Sequence, residues 1–196
     1  MTGGIGAGKS TVVEAFARRG AVPFSADAAV HALYHDPSVV EAVRERWGDP
    51  VIAADGSVDR SAIASIVFTD ERERLWLEGL LHPRVGAAWL AFTEEQAALP
   101  EPPEFLVAEV PLLFEAGLED RYDAVVTITA PHATRMERAA ARGSARSLPA
   151  ERAAAQMSER EKADRADFSY TNTGSFEELD TFAHDVLDEL RVTRTD

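Results

Sequence analysis

Short apolar runs alternate along the chain with longer stretches of helical periodicity, which predicts an α/β domain on a mainly parallel sheet. Strands are expected at 22–26, 105–110, 124–129 and 168–171. Helices fill the gaps: 9–19 stops at Gly20, and 176–191 follows the turn Asn172-Thr173-Gly174-Ser175, with Ser175 as its N-cap. Residues 28–103 separate two strand signals by far more than a connecting loop needs and are rich in helical spacing, so they are read as an inserted helical lobe. Within it Leu75, Trp76, Leu80, Leu81, Val85, Trp89, Leu90 and Phe92 mark an apolar face, with the tryptophans as core and a helix break expected at Pro83. Leu99-Pro100-Glu101-Pro102-Pro103 ends the lobe as a stiff return to the sheet.

Composition narrows the class. A chain of 196 residues that is 45% hydrophobic can bury one core and carry a smaller lobe or two. No apolar run approaches the roughly 18 residues of a membrane span, and the N-terminus lacks a basic region leading into an apolar one, so neither secretion nor membrane anchoring is expected. The absence of cysteine excludes disulfides, thiolate catalysis and zinc–thiolate sites and fits a cytoplasmic enzyme. A net charge of −14 argues against nucleic-acid binding, so an anionic ligand must be held locally. Of 20 basic residues only Lys9 and Lys162 are lysines.

Lys9 lies in Gly3-Gly4-Ile5-Gly6-Ala7-Gly8-Lys9-Ser10, a Gly-x-x-x-x-Gly-Lys-Ser loop. The glycines allow backbone N–H groups to wrap phosphate oxygens, and the following helix offers its unpaired N–H groups and positive dipole end. Lys9 is expected to reach the β/γ-phosphates of ATP, the Ser10 hydroxyl to ligate Mg²⁺, and Thr11 to extend the grip to the α-phosphate, with Gly6, Ala7 and Gly8 lining the nest. A dinucleotide fingerprint is the rival reading, because Gly4, Gly6 and Asp27 fit part of it; Lys9 in place of its third glycine favours a triphosphate. A buried central strand should lead into such a loop, yet only Met1 and Thr2 precede Gly3, so that strand is expected to be cut short and the true start to lie further upstream.

No guanine-reading Asn-Lys-x-Asp stretch is present, and motors usually need longer chains, which leaves a small kinase. Residues 132–167 carry Arg135, Arg138, Arg142, Arg146, Arg152, Arg160, Lys162 and Arg165 among alanines. Such a segment is either a solvated helical face or a lid that lays arginines over phosphates.

From Gly3 to about Gly174 the chain resembles the dephospho-CoA kinase family. The matching segments are 2–11, Ser25-Ala26-Asp27, Ala54-Asp55-Gly56 with Asp59-Arg60, Leu80-Leu81-His82-Pro83, Val110-Pro111-Leu112-Leu113-Phe114-Glu115, Arg138 with Arg142, and Gln156 through Glu161-Lys162 to Ala166-Asp167. The resemblance implies a P-loop fold with core 1–27, 104–131 and 168–196, a coenzyme A lobe 28–103 and a lid 132–167. It also implies transfer of the ATP γ-phosphate, with Mg²⁺, to the ribose 3′-hydroxyl of dephospho-CoA. Another nucleotide or metabolite kinase of this architecture, and a nucleotide-binding protein without catalysis, are the alternatives.

Asp27 follows a short apolar strand; an N-cap for a helix from Ala28 suits it, while the resemblance places it beside the attacking hydroxyl as its base or orienter. The family often has a second acid two residues earlier, where this chain has Ser25. Glu109 ends a strand as an Mg²⁺-holding acid would, or is an ordinary acid at a sheet edge. Arg138 and Arg142 share a helix face and fit the transferring phosphoryl group, with pairing to Glu137 as the plain reading; the resemblance favours Arg138. His82 is read as a contact of the coenzyme A moiety or a structural histidine. His31 and His35 have a metal pair's spacing but no evident third ligand, so a protein-bound transition metal is not expected.

Overall fold

The computed structural model describes residues 1–141, 157–173 and 175–193. Strand β1 (Thr2–Gly3) leads into α1 (Lys9–Arg18), followed by β2 (Val22–Ser25), α2 (Ala26–Leu33), α3 (Pro37–Trp47), α4 (Arg60–Val67) and α5 (Glu71–Ala97). After β3 (Leu106–Glu109) and β4 (Val126–Thr129) come α6 (His132–Ala141), α7 (Glu159–Arg165), β5 (Phe168–Thr171) and α8 (Phe176–Thr193). The chain forms two compact units, one of Met1–Phe24 with Pro103–Asp196 and one of Ser25–Pro102.

In the first unit β4 lies between β1 and β5, all parallel, with Thr2 opposite Thr127 and Val126 opposite Phe168. Strand β3 pairs with β2 and is tied to the start of β1: the Met1 amino group donates to the Ala108 carbonyl at 2.6 Å, and the Val110 N–H to the Met1 carbonyl at 2.9 Å. The first strand is thus central, and its two residues are half the length of β4 or β5. Val12, Ala15 and Phe16 of α1 pack with Val126 and Ile128 of β4 and with Leu179, Ala183, Val186 and Leu187 of α8. The last four recur at i, i+4, i+7 and i+8, the spacing of one helix face. Ser175 caps α8 as expected: its hydroxyl accepts the Glu178 N–H, and its own N–H donates to the Glu178 carboxylate, each at 3.3 Å.

The second unit gathers Tyr34, Val39, Val40, Val43, Val51, Val58, Ile63, Leu77 and Leu81 into its own core. Asp36, Asp59 and Asp70 cap α3, α4 and α5 through side-chain acceptors. Two expectations change here. Leu75 and Leu90 point outward, 56% and 59% exposed, because the buried stripe of α5 runs through Leu77 and Leu81, with Trp76 set edge-on to Trp47 at 4.9 Å. Pro83 also does not break the helix, since α5 continues to Ala97. Proline removes the N–H that would return to Gly79, but buried Leu77 and Leu81 hold the turns before it, and the Arg84 guanidinium donates to the Leu80 carbonyl at 2.7 Å. Among the described residues no helix is long and apolar enough to cross a membrane.

Candidate active site

The glycine loop joins β1 to α1. Gly8 takes a left-handed conformation (φ 98°, ψ 24°) at the N-cap of α1 and supplies no side-chain cap, so the first turn of α1 faces the loop through its backbone. A side chain at Gly8 is doubly excluded, by the sign of φ and by the Asn172 carboxamide in the space it would fill. Lys9 folds back and donates to the Gly4 carbonyl at 3.2 Å.

Three groups distant in sequence surround this loop. Asn172, just past the end of β5 and 5% exposed, donates through Nδ2 to the Ala7 carbonyl at 2.8 Å. Because a trans peptide sets C=O and N–H on opposite sides, this bond also sets the direction of the Gly8 N–H. Arg138 on α6 brings its guanidinium close to Gly8, and its Nη1 is buried without a hydrogen-bond partner. Arg138, Gly8, Thr11, Asn172, Ser175, Phe176 and Leu179 line a cavity of about 170 Å³, with Phe176 76% exposed at its edge. A buried guanidinium nitrogen without an acceptor, beside a loop of backbone donors, suits an anionic ligand. Arg135 and Glu159 pair at 3.4 Å against Gly4, where a side chain would collide with both. Glu159 also accepts the Ala130 N–H at 3.1 Å, and Arg135 donates to the Ala130 carbonyl at 3.2 Å, so α6 and α7 are both fastened to the end of β4.

Lys9, Gly6, Ala7, Gly8, Ser10, Thr11 and Arg138 all belong to the first unit, with the Ser10 hydroxyl residue exposed on the first turn of α1. Glu109 lies half-buried at the end of β3. Asp27 and His82 belong to the second unit and are exposed. Asp27 is not the cap of α2: the helix starts at Ala26, two residues before the expected Ala28, and the Ser25 hydroxyl accepts the Ala28 N–H at 3.2 Å. Arg142, with Arg146 and Arg152, lies outside the described residues. The rings of His31 and His35 meet edge to face at 5.4 Å.

Sequence reasoning missed the roles of Asn172, read as part of a turn, and of Lys162, grouped with a segment read as a solvated face or a lid. Lys162 is in fact 1% exposed and pairs with Glu115 at 2.8 Å. The usable signals were the scarcity of lysine and the position of an asparagine directly after a strand.

A sequence profile described as dephospho-CoA kinase matches residues 1–178. The chain is 37% identical to the dephospho-CoA kinase of Thermobifida fusca, over 97% of this chain and 94% of that one. It is 38% identical to that of Deinococcus radiodurans, over 98% and 92%. Among solved structures it is similar to a Thermus thermophilus protein, with TM-score 0.78 and 35% identity over 96% of this chain and 95% of that one. The dephospho-CoA kinase from Campylobacter jejuni matches with TM-score 0.68 and 26% identity, over 96% and 94%.

Proposed function

The chain belongs to the dephospho-CoA kinase family, and on that premise we propose how its own residues share the chemistry. It carries out the ATP-dependent phosphorylation of dephospho-CoA, a step of coenzyme A biosynthesis. The acceptor atom in this reading is the ribose 3′-hydroxyl, and the place of work is the cytoplasm.

The backbone of Gly6–Thr11 holds the triphosphate, Lys9 leaves the Gly4 carbonyl for the β/γ-phosphate oxygens, and Arg138 offsets the charge of the transferring phosphoryl group. The observation that carries this is the buried Arg138 Nη1, which lies beside Gly8 with no acceptor. Ser10 and, through water, Glu109 have the oxygen donors Mg²⁺ prefers, and Mg²⁺ when bound neutralises charge on the phosphate oxygens. Asp27 orients the acceptor hydroxyl or takes its proton. Its support is its position just beyond β2, where strand ends in open α/β sheets meet ligands, and the fact that Ser25 already does the capping. His82 contacts the coenzyme A moiety.

Asp27→Asn tests the assignment. Turnover, followed as ADP release with dephospho-CoA, should fall by about 10²-fold or more, while ATP affinity by calorimetry stays near normal. Full turnover would leave Asp27 a surface residue of α2. A substrate lacking the 3′-hydroxyl should release no ADP; release at the normal rate would move the acceptor to another oxygen. In His82→Ala only KM for dephospho-CoA should rise.

A further inference from the structure

Among the described residues Lys162 is the largest buried polar side chain, and the phosphate chemistry leaves it unused. Its ammonium donates to Glu115 at 2.8 Å and to the Pro111 carbonyl at 3.4 Å. The same Pro111 carbonyl accepts the Thr2 hydroxyl at 3.1 Å, and the Lys162 carbonyl accepts the Thr127 hydroxyl at 3.3 Å. Glu115 in turn accepts the Met157 N–H at 3.1 Å. One cation therefore joins α7, the turn after β3 and, through a shared acceptor, the residue that precedes the glycine loop.

Burying an ion pair is a poor way to gain stability, because apolar groups of the same volume serve as well or better. What the cation does that an apolar side chain cannot is give the Pro111 carbonyl a second donor beside the Thr2 hydroxyl. Pro111 lies two residues beyond Glu109, and the link is stiff: proline fixes its own φ and keeps Val110 extended. A shift of Pro111 therefore carries Glu109 with it. We propose that Lys162 is a positioning residue that sets Glu109 at its working distance from the glycine loop, with Glu115 balancing its charge. The inference rests on the reading of Glu109 given above.

The test is the paired variant Lys162→Met/Glu115→Leu, which removes both charges and refills their volume; Lys162→Met alone leaves the partly exposed Glu115 carboxylate without its cation and is expected to be less stable. The paired variant should unfold within a few degrees of wild type and bind ATP within about threefold, yet lose at least tenfold in kcat, since small displacements of aligned groups cost up to about 10²-fold. A kcat within twofold of wild type would overturn the proposal. Glu115→Gln keeps an acceptor for Lys162 and the Pro111 contact, so its kcat should stay within threefold even if its Tm falls; a tenfold loss there would also overturn it. Glu109→Gln separates the premise. If kcat is lost in the paired variant but unchanged in Glu109→Gln, the reading of Glu109 fails. If it is lost in Glu109→Gln but unchanged in the paired variant, the role of Lys162 fails.

Discussion

Replacing Asn172 by alanine removes the donor that holds the Ala7 carbonyl at 2.8 Å in a buried setting. A buried carbonyl deprived of its partner costs about 1–3 kcal/mol. Taking about 2 kcal/mol, and about 2–4 °C per kcal/mol for a chain of this size, Tm should drop by roughly 4–8 °C. The second effect is on the ligand. With the Ala7–Gly8 peptide free to turn, the Gly8 N–H is no longer aimed, and one hydrogen bond to a charged phosphate is worth about 1.5 kcal/mol or more. ATP affinity should therefore weaken roughly tenfold or further. Thermal unfolding with and without ATP gives the first number, titration calorimetry the second. Asn172→Asp sharpens the comparison, because a carboxylate would face the Ala7 carbonyl as a second acceptor and should be worse than alanine on both counts. If Asn172→Ala unfolds within about 1 °C of wild type and binds ATP within twofold, the carboxamide does not organise the loop and the reasoning is wrong.

Arg138→Met deletes a buried nitrogen that has no acceptor, so Tm without nucleotide should hold or rise while turnover falls by about 10²–10³-fold; retained turnover would remove Arg138 from the chemistry. Ser25→Ala takes away the cap of α2 and should cost about 1 kcal/mol, seen as a Tm lower by about 2–4 °C; an unchanged Tm would show the cap to be idle. Pro83→Ala restores an N–H opposite Gly79 within α5 and should stabilise by up to about 3 kcal/mol. A lower Tm in that variant would mean the helix is built around the proline.

Much of the frame is legible in residues close together along the chain. Four strand segments, the helix after Gly8 and the Ser175 cap follow from local periodicity and local hydrogen bonding, both of which act over a few positions. The glycine loop is legible for the same reason. Where a reading of this kind fails, packing has outweighed the local preference. Pro83 is a helix breaker in isolation, yet α5 runs through it because Leu77 and Leu81 are anchored in the lobe's core. Asp27 looked like a cap only because the start of α2 was placed too late; Ser25, one residue before the helix, satisfies the Ala28 N–H first.

By itself, then, the order of residues determined that phosphates are bound and which family's pattern the chain follows, since a phosphate nest is made from consecutive backbone groups. Only the tertiary structure decided what holds that nest in place. Asn172 meets Ala7 across 165 positions, Lys162 meets Pro111 across 51, and Arg138 reaches Gly8 from the helix that follows β4. None of these pairings has a spacing or period to reveal it, because each exists only where parallel strands bring distant segments to one end of the sheet, and the polar groups buried there must find partners in whatever the fold places beside them.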